Sequence, residues 1–235
     1  MMAPLTLKHA DAGSGARSAG AGRVPPDPPG KLPAPLEAFD VPAPVLRLPE
    51  RAVLFEQGTP VKEVYYLVSG VIRLTHTRPG CPALTVGVRL GGSLVGGAAA
   101  VAAAEHPITA ETVTPCQLQH FNRRDFRNLL ARDLQFSRKV TAILCGELMG
   151  GVNQITGLLA MSSRERLEAQ LQYLSEHRAS YGGGGANRLA LPVRLRDLAH
   201  LLGITPEHLS RLLTQLEKEG RLSRDKGWFV FHDPA

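Results

Sequence analysis

The amino-acid sequence predicts an α+β protein in which an antiparallel β-roll, a long helix and a winged helix-turn-helix follow one another. Three observations predict this order: short β-type runs divided by glycine turns after residue 45, a proline-free stretch from Asp133 to about Ala160, and two short amphipathic helices joined by a glycine after Leu195. The expected boundaries are 1–44 for a tail, 45–122 for the roll, 123–161 for a short and a long helix, and 162–235 for the winged helix-turn-helix.

The first segment differs in composition from the rest of the 235-residue chain. Residues 1–44 hold half of the 18 prolines together with several glycines, and they show no apolar periodicity. Such a segment buries too little apolar surface to order itself, so we expect a disordered tail. The chain has neither a basic start before an apolar stretch nor a run of about 18 apolar residues, so we expect a cytoplasmic protein that does not span a membrane.

The roll is predicted from β-type runs bounded by the turn signals Gln57-Gly58, Ser69-Gly70 and Pro79-Gly80. The runs are Ala52–Phe55, Val64–Val68, Val71–Thr75, Leu84–Leu90 and Thr112–Phe121. Their spacing is typical of a compact antiparallel barrel or jelly roll.

Two sets of residues in the roll are candidates for an effector site. Gly92, Ser93 and Leu94 lie in a glycine-rich stretch that can bring backbone amides near an anion, although these glycines equally suit a tight corner of the barrel. The second set consists of the three histidines in or beside the roll, which are His76, His106 and His120.

The helical region begins with a short helix that Asn122 can cap, over Arg123–Leu130. The long helix that follows carries apolar residues three or four positions apart, a spacing that suits helix pairing across a two-fold axis. This predicted dimer seam consists of Val140, Leu144, Leu148, Val152, Ile155 and Leu159. The alternative is that the same face packs only on the roll of its own chain.

The helix-turn-helix lies in residues 195–220. Its first helix carries Leu198 and Leu202 on one face, and Gly203 can turn the chain. Its second helix begins with Thr205 as a cap and Pro206 at the first helical position. Apolar residues of the second helix face inward; these are Leu209, Leu212, Leu213 and Leu216.

The opposite face of the second helix predicts contact with the major groove of DNA, where a recognition helix meets base edges near its start. The exposed residues there are Glu207, His208, Ser210, Arg211 and Thr214, with Thr205 beside them. Phosphate contacts are expected from Arg196, Arg221 and Arg224 around the hairpin. The net charge of +6 agrees with a polyanionic partner.

The segment after Gly220 distinguishes this motif from an ordinary helical hairpin. Arg221–Ser223 and Trp228–Phe231 are strand-like runs around the turn Asp225-Lys226-Gly227, which predicts a wing. Residues 188–193 add a further strand, which Pro192 confines to an edge.

With these motifs in this order, the chain resembles the CRP/FNR family of bacterial transcription regulators from about Val45 to Phe231. The matching stretches are Leu54-Phe55-Glu56-Gln57-Gly58, residues 64–74, Ser163-Arg164-Glu165-Arg166-Leu167 and the second helix of the hairpin. The resemblance implies a roll like a cyclic-nucleotide-binding domain. The FNR branch carries Glu-x-x-Ser-Arg in the recognition helix, which implies that Glu207, Ser210 and Arg211 read base edges of a palindrome with TTGAT-like half-sites.

Departures from the family restrict the expected effector. Cyclic AMP is disfavoured because Gly92-Ser93-Leu94 and Pro107-Ile108-Thr109-Ala110 stand where its receptors carry a Gly-Glu-Leu segment and an Arg-Ser pair. An iron–sulfur cluster is disfavoured because residues 1–80 contain no cysteine. Haem ligation by a histidine of the roll is left open, although a lone histidine is more often a surface or packed residue.

The three cysteines, Cys81, Cys116 and Cys145, are widely spaced and odd in number, which favours a reducing compartment. Oxidant sensing by Cys116 and Cys145 is one option, and we interpret both as core residues instead.

The expected function is therefore a homodimeric regulator that binds double-stranded DNA, and that binds RNA polymerase if it activates transcription. A small-molecule-binding module whose winged helix contacts protein is the alternative. The sequence contains no pairing of a nucleophile with a base, no metal-ligand spacing and no phosphate-binding loop, so we do not expect an enzyme.

Overall fold

The computed structural model describes residues 39–102, 105–182, 188–225 and 228–232. Residues 1–38 of the tail predicted for 1–44 lie outside these ranges, as do Lys226 and Gly227 of the expected wing turn. The described strands of the N-terminal domain are β1 Val45–Leu48, β2 Val53–Phe55, β3 Glu63–Ser69, β4 Val71–His76, β5 Leu84–Leu90, β6 Leu94–Val95, β7 Thr109–Thr112 and β8 Cys116–Asn122.

These strands form two antiparallel sheets, ordered β1-β8-β3-β6 and β2-β7-β4-β5. The predicted roll is confirmed. The chain passes from β3 in one sheet to β4 in the other through Gly70, which has a φ of 102°. A Cβ there would lie 2.5 Å from the carbonyl oxygen of Pro115, so only glycine fits this connection.

The run predicted as one strand over Thr112–Phe121 is two strands, β7 and β8, in different sheets. The intervening residues turn against the start of β4. There, the Val113 amide donates to the Val71 carbonyl. The Val71 amide donates to the Thr114 hydroxyl at 2.9 Å. The local signal for this break is Pro115, which lies between the two strands and cannot donate to a sheet ladder.

The ordered roll begins before the predicted boundary at residue 45. Phe39 is buried, and its ring lies 4.6 Å from that of Phe136 and 5.0 Å from that of Tyr66. The backbone of Phe39 exchanges two hydrogen bonds with the Gln119 side chain, both 2.9 Å long. The prediction of a tail up to residue 44 is therefore wrong for its last residues, because one aromatic ring anchors a segment that composition alone describes as disordered.

The described helices are α1 Gly97–Ala102, α2 Arg123–Arg132, α3 Leu134–Ala160, α4 Ser163–Glu176, α5 Leu195–Leu202 and α6 Pro206–Lys218. As predicted, Asn122 caps α2, where its side chain accepts from the Asp125 amide at 2.8 Å. Asp133 caps α3 in the same way. The sequence prediction missed α1, a short alanine-rich helix.

The long helix α3 buries one face of its first half, whereas its second half is largely exposed. Val140 is only 2% exposed and packs in the core of its own roll, and Leu144 lies partly buried against the same core. Assigning Val140 to the dimer seam is therefore wrong, since the roll covers it. The other four seam residues are solvent-accessible: Leu148 is 67% exposed, Val152 46%, Ile155 60% and Leu159 84%.

Among the described residues, α3 is also the one helix whose length and apolar content would suit a membrane span. Only 11% of its most apolar window is buried within this single chain. This is weak evidence for a membrane protein, because an apolar helix that pairs with another protein surface has the same length and composition.

The C-terminal domain packs α4, α5 and α6 against an antiparallel sheet ordered β10-β11-β9, with β9 Arg188–Ala190, β10 Leu222–Asp225 and β11 Trp228–Phe231. The predicted wing and edge strand are confirmed. Val71 and Leu90 of the roll belong to the same core cluster as Leu198 and Leu202 of α5, so one apolar cluster spans the two domains.

Candidate nucleic-acid interface

Local chemistry fixes the start of α6. Gly203 ends α5 in the left-handed conformation, with a φ of 63°. The Thr205 hydroxyl accepts from the His208 amide at 3.2 Å, and Pro206 occupies the first turn. This cap satisfies an amide that the helix itself leaves free. The cap and the turn agree with the sequence prediction.

The two faces of α6 differ as the sequence predicts. Leu209 and Leu213 are fully buried, and Leu212 and Leu216 are nearly so. Glu207, Ser210, Arg211 and Thr214 are exposed on the other face. The burial of one face fixes the rotation of the helix about its axis, so the first turns present carboxylate, hydroxyl and guanidinium groups to solvent together.

Glu207 and Arg211 lie one turn apart on this face. Hydrogen bonds from its own backbone amide and from Thr205 lower the pKa of Glu207, and the charge of Arg211 lowers it further. The carboxylate is therefore ionised at neutral pH and can only accept hydrogen bonds. Arg211 forms no salt bridge within the described part of the chain, which leaves its guanidinium available for a planar acceptor such as a guanine edge.

The other candidates on α6 already have contacts within the domain. Nε2 of His208 lies 3.3 Å from the Ser163 hydroxyl at the start of α4, and the ring is half-buried. The Thr214 hydroxyl donates to the Ser210 carbonyl at 3.0 Å. Thr205 serves as the cap. We therefore assign these three residues first to the shape and position of α6.

The candidate phosphate contacts divide in a similar way. Arg224 of the wing forms a bidentate pair with Glu217 of α6, at 2.8 and 2.7 Å. Arg221 donates to Glu168 of α4 at 2.9 Å. The first pair joins the wing to the recognition helix, and the second joins the start of the wing to α4. Both pairs neutralise charge that the sequence prediction reserved for phosphates. Arg196 is exposed and has no salt bridge among the described residues.

The glycine-rich candidate at the roll is buried and contacts the long helix. Ser93 and Leu94 are nearly inaccessible, and Gly92 has a φ of 97° at a tight corner. The Leu94 amide donates to Glu147 of α3 at 3.1 Å. The Glu147 carboxylate of the same chain thus already accepts the hydrogen bond that this amide was predicted to donate to an anion. Burial raises the pKa of Glu147, and the positive charge of the Arg89 guanidinium, 3.6 Å away, partly offsets this increase.

The three candidate histidines lie in different environments. His106 is buried, and its ring stacks on Phe55 with 3.6 Å between centroids, so desolvation lowers its pKa. Nε2 of His120 lies 3.4 Å from the Glu63 carboxylate. His76 is half-buried at the end of β4. Within the described ranges, no group of three or more His, Cys, Asp or Glu side chains is arranged to hold a metal ion.

The cysteines are only partly as predicted. Cys116 is buried in the roll, where desolvation raises the pKa of its thiol. Cys145 is exposed, so its assignment to the core is wrong. It lies near the middle of α3, just before the largely exposed second half of the helix.

A cavity of about 310 Å³ lies where the roll, α3, α4 and α5 meet. Apolar side chains of the roll and of the C-terminal domain line it, including Leu74, Val88 and Leu202. Arg89 and Glu147 provide charged groups at its wall. Gly150 of α3 also faces it, and a Cβ there would meet nothing within 4 Å. A molecule in this cavity would touch both domains.

A set of polar residues that no sequence pattern predicted joins the two domains. Asp197 on the first turn of α5 is 2% exposed, and its carboxylate accepts hydrogen bonds from Arg73 and Thr85 of the roll. A buried aspartate is unusual unless it is paired, but the sequence does not mark Asp197 as buried, because a residue adjoining Leu198 points about 100° away around the helix. The identity of its partners came only from the fold, since they lie more than a hundred positions away.

Two family models match the chain. The cyclic nucleotide-binding domain model matches residues 45–133, and the Crp-like helix-turn-helix domain model matches residues 165–235. The fumarate and nitrate reduction regulatory protein of Yersinia pestis is 32% identical over 174 residues, which cover 72% of this chain and 67% of that protein. Its counterpart in Escherichia coli is 29% identical over 171 residues, with the same coverage. The structure of FixK2 from Bradyrhizobium japonicum aligns with a TM-score of 0.71 at 23% identity, over 82% of this chain and 94% of that one.

Proposed function

Because the chain belongs to the CRP/FNR family of bacterial transcription regulators, we propose that it acts as a cytoplasmic homodimer that binds a palindromic DNA site through two copies of α6. The named relatives are regulatory proteins and not enzymes, and residues 165–235 of this chain match the Crp-like helix-turn-helix domain model. The observation that carries the proposal is the exposed set Glu207, Ser210 and Arg211 on a helix whose other face is buried.

The chemistry of these three residues supports a base-specific role. A guanidinium can donate two hydrogen bonds to O6 and N7 of guanine, a carboxylate can accept from N4 of cytosine, and a hydroxyl can do either. We propose that Arg211, Glu207 and Ser210 act in this way on a TTGAT-like half-site. Arg196 then supplies a phosphate contact, while Arg221 and Arg224 act mainly within the domain because each has a carboxylate partner.

The exposed second half of α3 supports the homodimer. Leu148, Val152, Ile155 and Leu159 form an apolar stripe on one helix face, and each is at least 46% exposed in the single chain. Pairing of two such stripes across a two-fold axis would bury them and place two recognition helices side by side, as a palindromic site requires.

We propose further that an effector acts at the cavity between the domains, because a molecule there contacts the roll, α3 and α5 together. A ligand shifts the arrangement of the domains only if it binds one arrangement better than another.

An anaerobic absorption spectrum of the purified protein tests the haem option. A Soret band would direct mutagenesis to His76, His106 and His120, and a colourless protein would direct the search to colourless metabolites or cysteine oxidation.

Selection from a randomised pool of palindromic DNA tests the function itself. The expected result is enrichment of one half-site sequence in two copies, with an affinity that falls steeply as salt increases, because phosphate contacts release counterions. A winged helix that contacts protein would enrich no DNA sequence. If the activity is transcriptional activation, the same complex on promoter DNA should bind RNA polymerase.

A further inference from the structure

One carboxylate of the helix-turn-helix is buried by the other domain. Asp197 lies in the first turn of α5 and is 2% exposed. Its Oδ1 accepts from the Thr85 hydroxyl at 2.7 Å and from Nη1 of Arg73 at 3.0 Å. Nη1 of Arg73 also lies 3.2 Å from Oδ2. These partners belong to β4 and β5 of the roll, so the charge of Asp197 is compensated only while the two domains are docked.

A second ion pair within the roll orients the Arg73 side chain toward Asp197. Its Nη2 donates to Glu111 of the neighbouring strand β7 at 2.8 Å, which leaves Nη1 directed at α5. Burial opposes the charged form, but the paired carboxylates outweigh it and raise the pKa of Arg73 above its ordinary value. We name Arg73, Thr85, Glu111 and Asp197 the docking cluster.

A second contact lies one turn further along α5. The Thr85 amide donates to Nδ1 of His200 at 3.2 Å, while the Thr85 hydroxyl donates to Asp197. Asp197 and His200 are three positions apart, so they lie on the same face of the helix. One residue of β5 is thus bound at two points by α5, which defines both the position and the rotation of the helix on the sheet.

The apolar contacts around the docking cluster are less directional. Val71 and Leu90 share a core with Leu198 and Leu202, and such contacts tolerate a small slide of one surface over the other. Hydrogen bonds and ion pairs require particular distances and angles. The docking cluster therefore selects one arrangement of the two domains among those that the apolar surfaces allow, together with the hydrogen bond that the Gly70 amide donates to the Ser180 carbonyl at 2.9 Å.

The position of α5 determines that of α6. The two helices are joined by a short turn at Gly203, and Leu198, Leu202, Leu209 and Leu213 pack in one cluster. The only covalent connection from α3 into the C-terminal domain is the non-helical joint at Met161 and Ser162, which by itself leaves that domain's orientation open.

We propose that Asp197, with Arg73 and Thr85, is a positioning residue that fixes the orientation of the recognition helix on the roll and thereby sets the separation of the two recognition helices in the dimer. The second half of this proposal rests on the proposed function, since it requires a homodimer that binds a palindrome. The first half concerns one chain and is independent of DNA.

The test uses the full chain with Asp197→Asn, which removes the charge and preserves the shape. Thr85→Val, which removes only the hydroxyl donor, is the second variant, and it decides the matter if Asp197→Asn fails to fold. Asp225→Asn is the matched control, because it also removes an Asp–Arg pair, but an exposed one within a single domain, with Arg188.

Hydrogen exchange measured by mass spectrometry tests the docking without DNA. In both variants, peptides covering β5 and α5 should exchange several-fold faster than in the wild type, while peptides of α2 stay unchanged. The control should leave β5 at its wild-type rate. Unchanged exchange in β5 and α5 would overturn the proposed docking role.

Binding to palindromes with spacers of different lengths tests the consequence for DNA. The wild type should prefer one spacer, and both variants should show a flatter preference while retaining the same half-site sequence. Faster exchange together with an equally sharp spacer preference would overturn the positioning role. If the wild type selects no palindrome at all, the proposed function fails, and the exchange result still decides whether the cluster holds the domains together.

Discussion

The apolar stripe on α3 leads to a quantitative prediction for Ile155→Ser. Ile155 is 60% exposed in the single chain. Burial of a whole isoleucine side chain contributes about 1.5–3 kcal/mol, so burial of this exposed part contributes about 1–2 kcal/mol for each protomer. A two-fold axis places the residue in the interface twice. The substitution should therefore weaken the dimer by about 2–4 kcal/mol, which raises its Kd roughly 30- to 700-fold.

Sedimentation velocity over a dilution series measures this change directly. The control is Val45→Ser, which changes a residue that is 55% exposed on an edge strand of the roll and outside the stripe. The wild type and the control should dissociate over the same concentration range, and Ile155→Ser at much higher concentration. Equal dissociation constants for Ile155→Ser and the control would show that the stripe does not form the dimer interface, as would a wild type that is monomeric at every concentration.

Three further predictions concern stability. Thr205→Ala removes the cap of α6 and should cost about 0.5–2 kcal/mol in urea unfolding, while Thr205→Ser should cost much less; equal costs would exclude the cap as the cause. Leu213→Ala empties a fully buried position and should cost about 2–5 kcal/mol, whereas Ala substitution of the exposed Lys218 should change stability little. Burial lowers the pKa of His106 in the folded state. The contribution of the neutral ring to the free energy of unfolding is therefore fully present above the unfolded-state histidine pKa of about 6.5, and it is lost as the pH falls through the lower pKa of the folded state. Urea midpoints between pH 7.5 and pH 5, in steps of about half a unit, should therefore fall more steeply for the wild type than for His106→Asn, and parallel curves would contradict this.

The parts of the fold that the sequence predicts well are those with local chemical signals. Thr205, Pro206 and Gly203 each suit one backbone position, so the bounds of α5 and α6 could be predicted closely. The leucines of α6 recur at helical spacing, which also predicts the exposed face that carries Glu207, Ser210 and Arg211. These assignments require no knowledge of distant residues.

The parts that the sequence does not predict depend on contacts far along the chain. Nothing near Val140 indicates that the roll covers it while Leu148 on the same stripe stays exposed. Phe39 is anchored by Gln119, and Asp197 by Arg73 and Thr85. Similarly, Arg221 and Arg224 look like free cations in sequence, but each has a carboxylate partner that only the tertiary fold brings near.

The most direct test of the central claim is the discrimination of Arg211→Ala between the selected palindrome and a scrambled duplex, measured by fluorescence anisotropy at one fixed salt concentration. Arg127→Ala, which changes an exposed arginine of α2, is the control for loss of positive charge. If Arg211 reads a base edge, Arg211→Ala loses about 1–3 kcal/mol of discrimination and the control loses none. Full preference for the palindrome in Arg211→Ala would contradict the assignment of base reading to this face of α6.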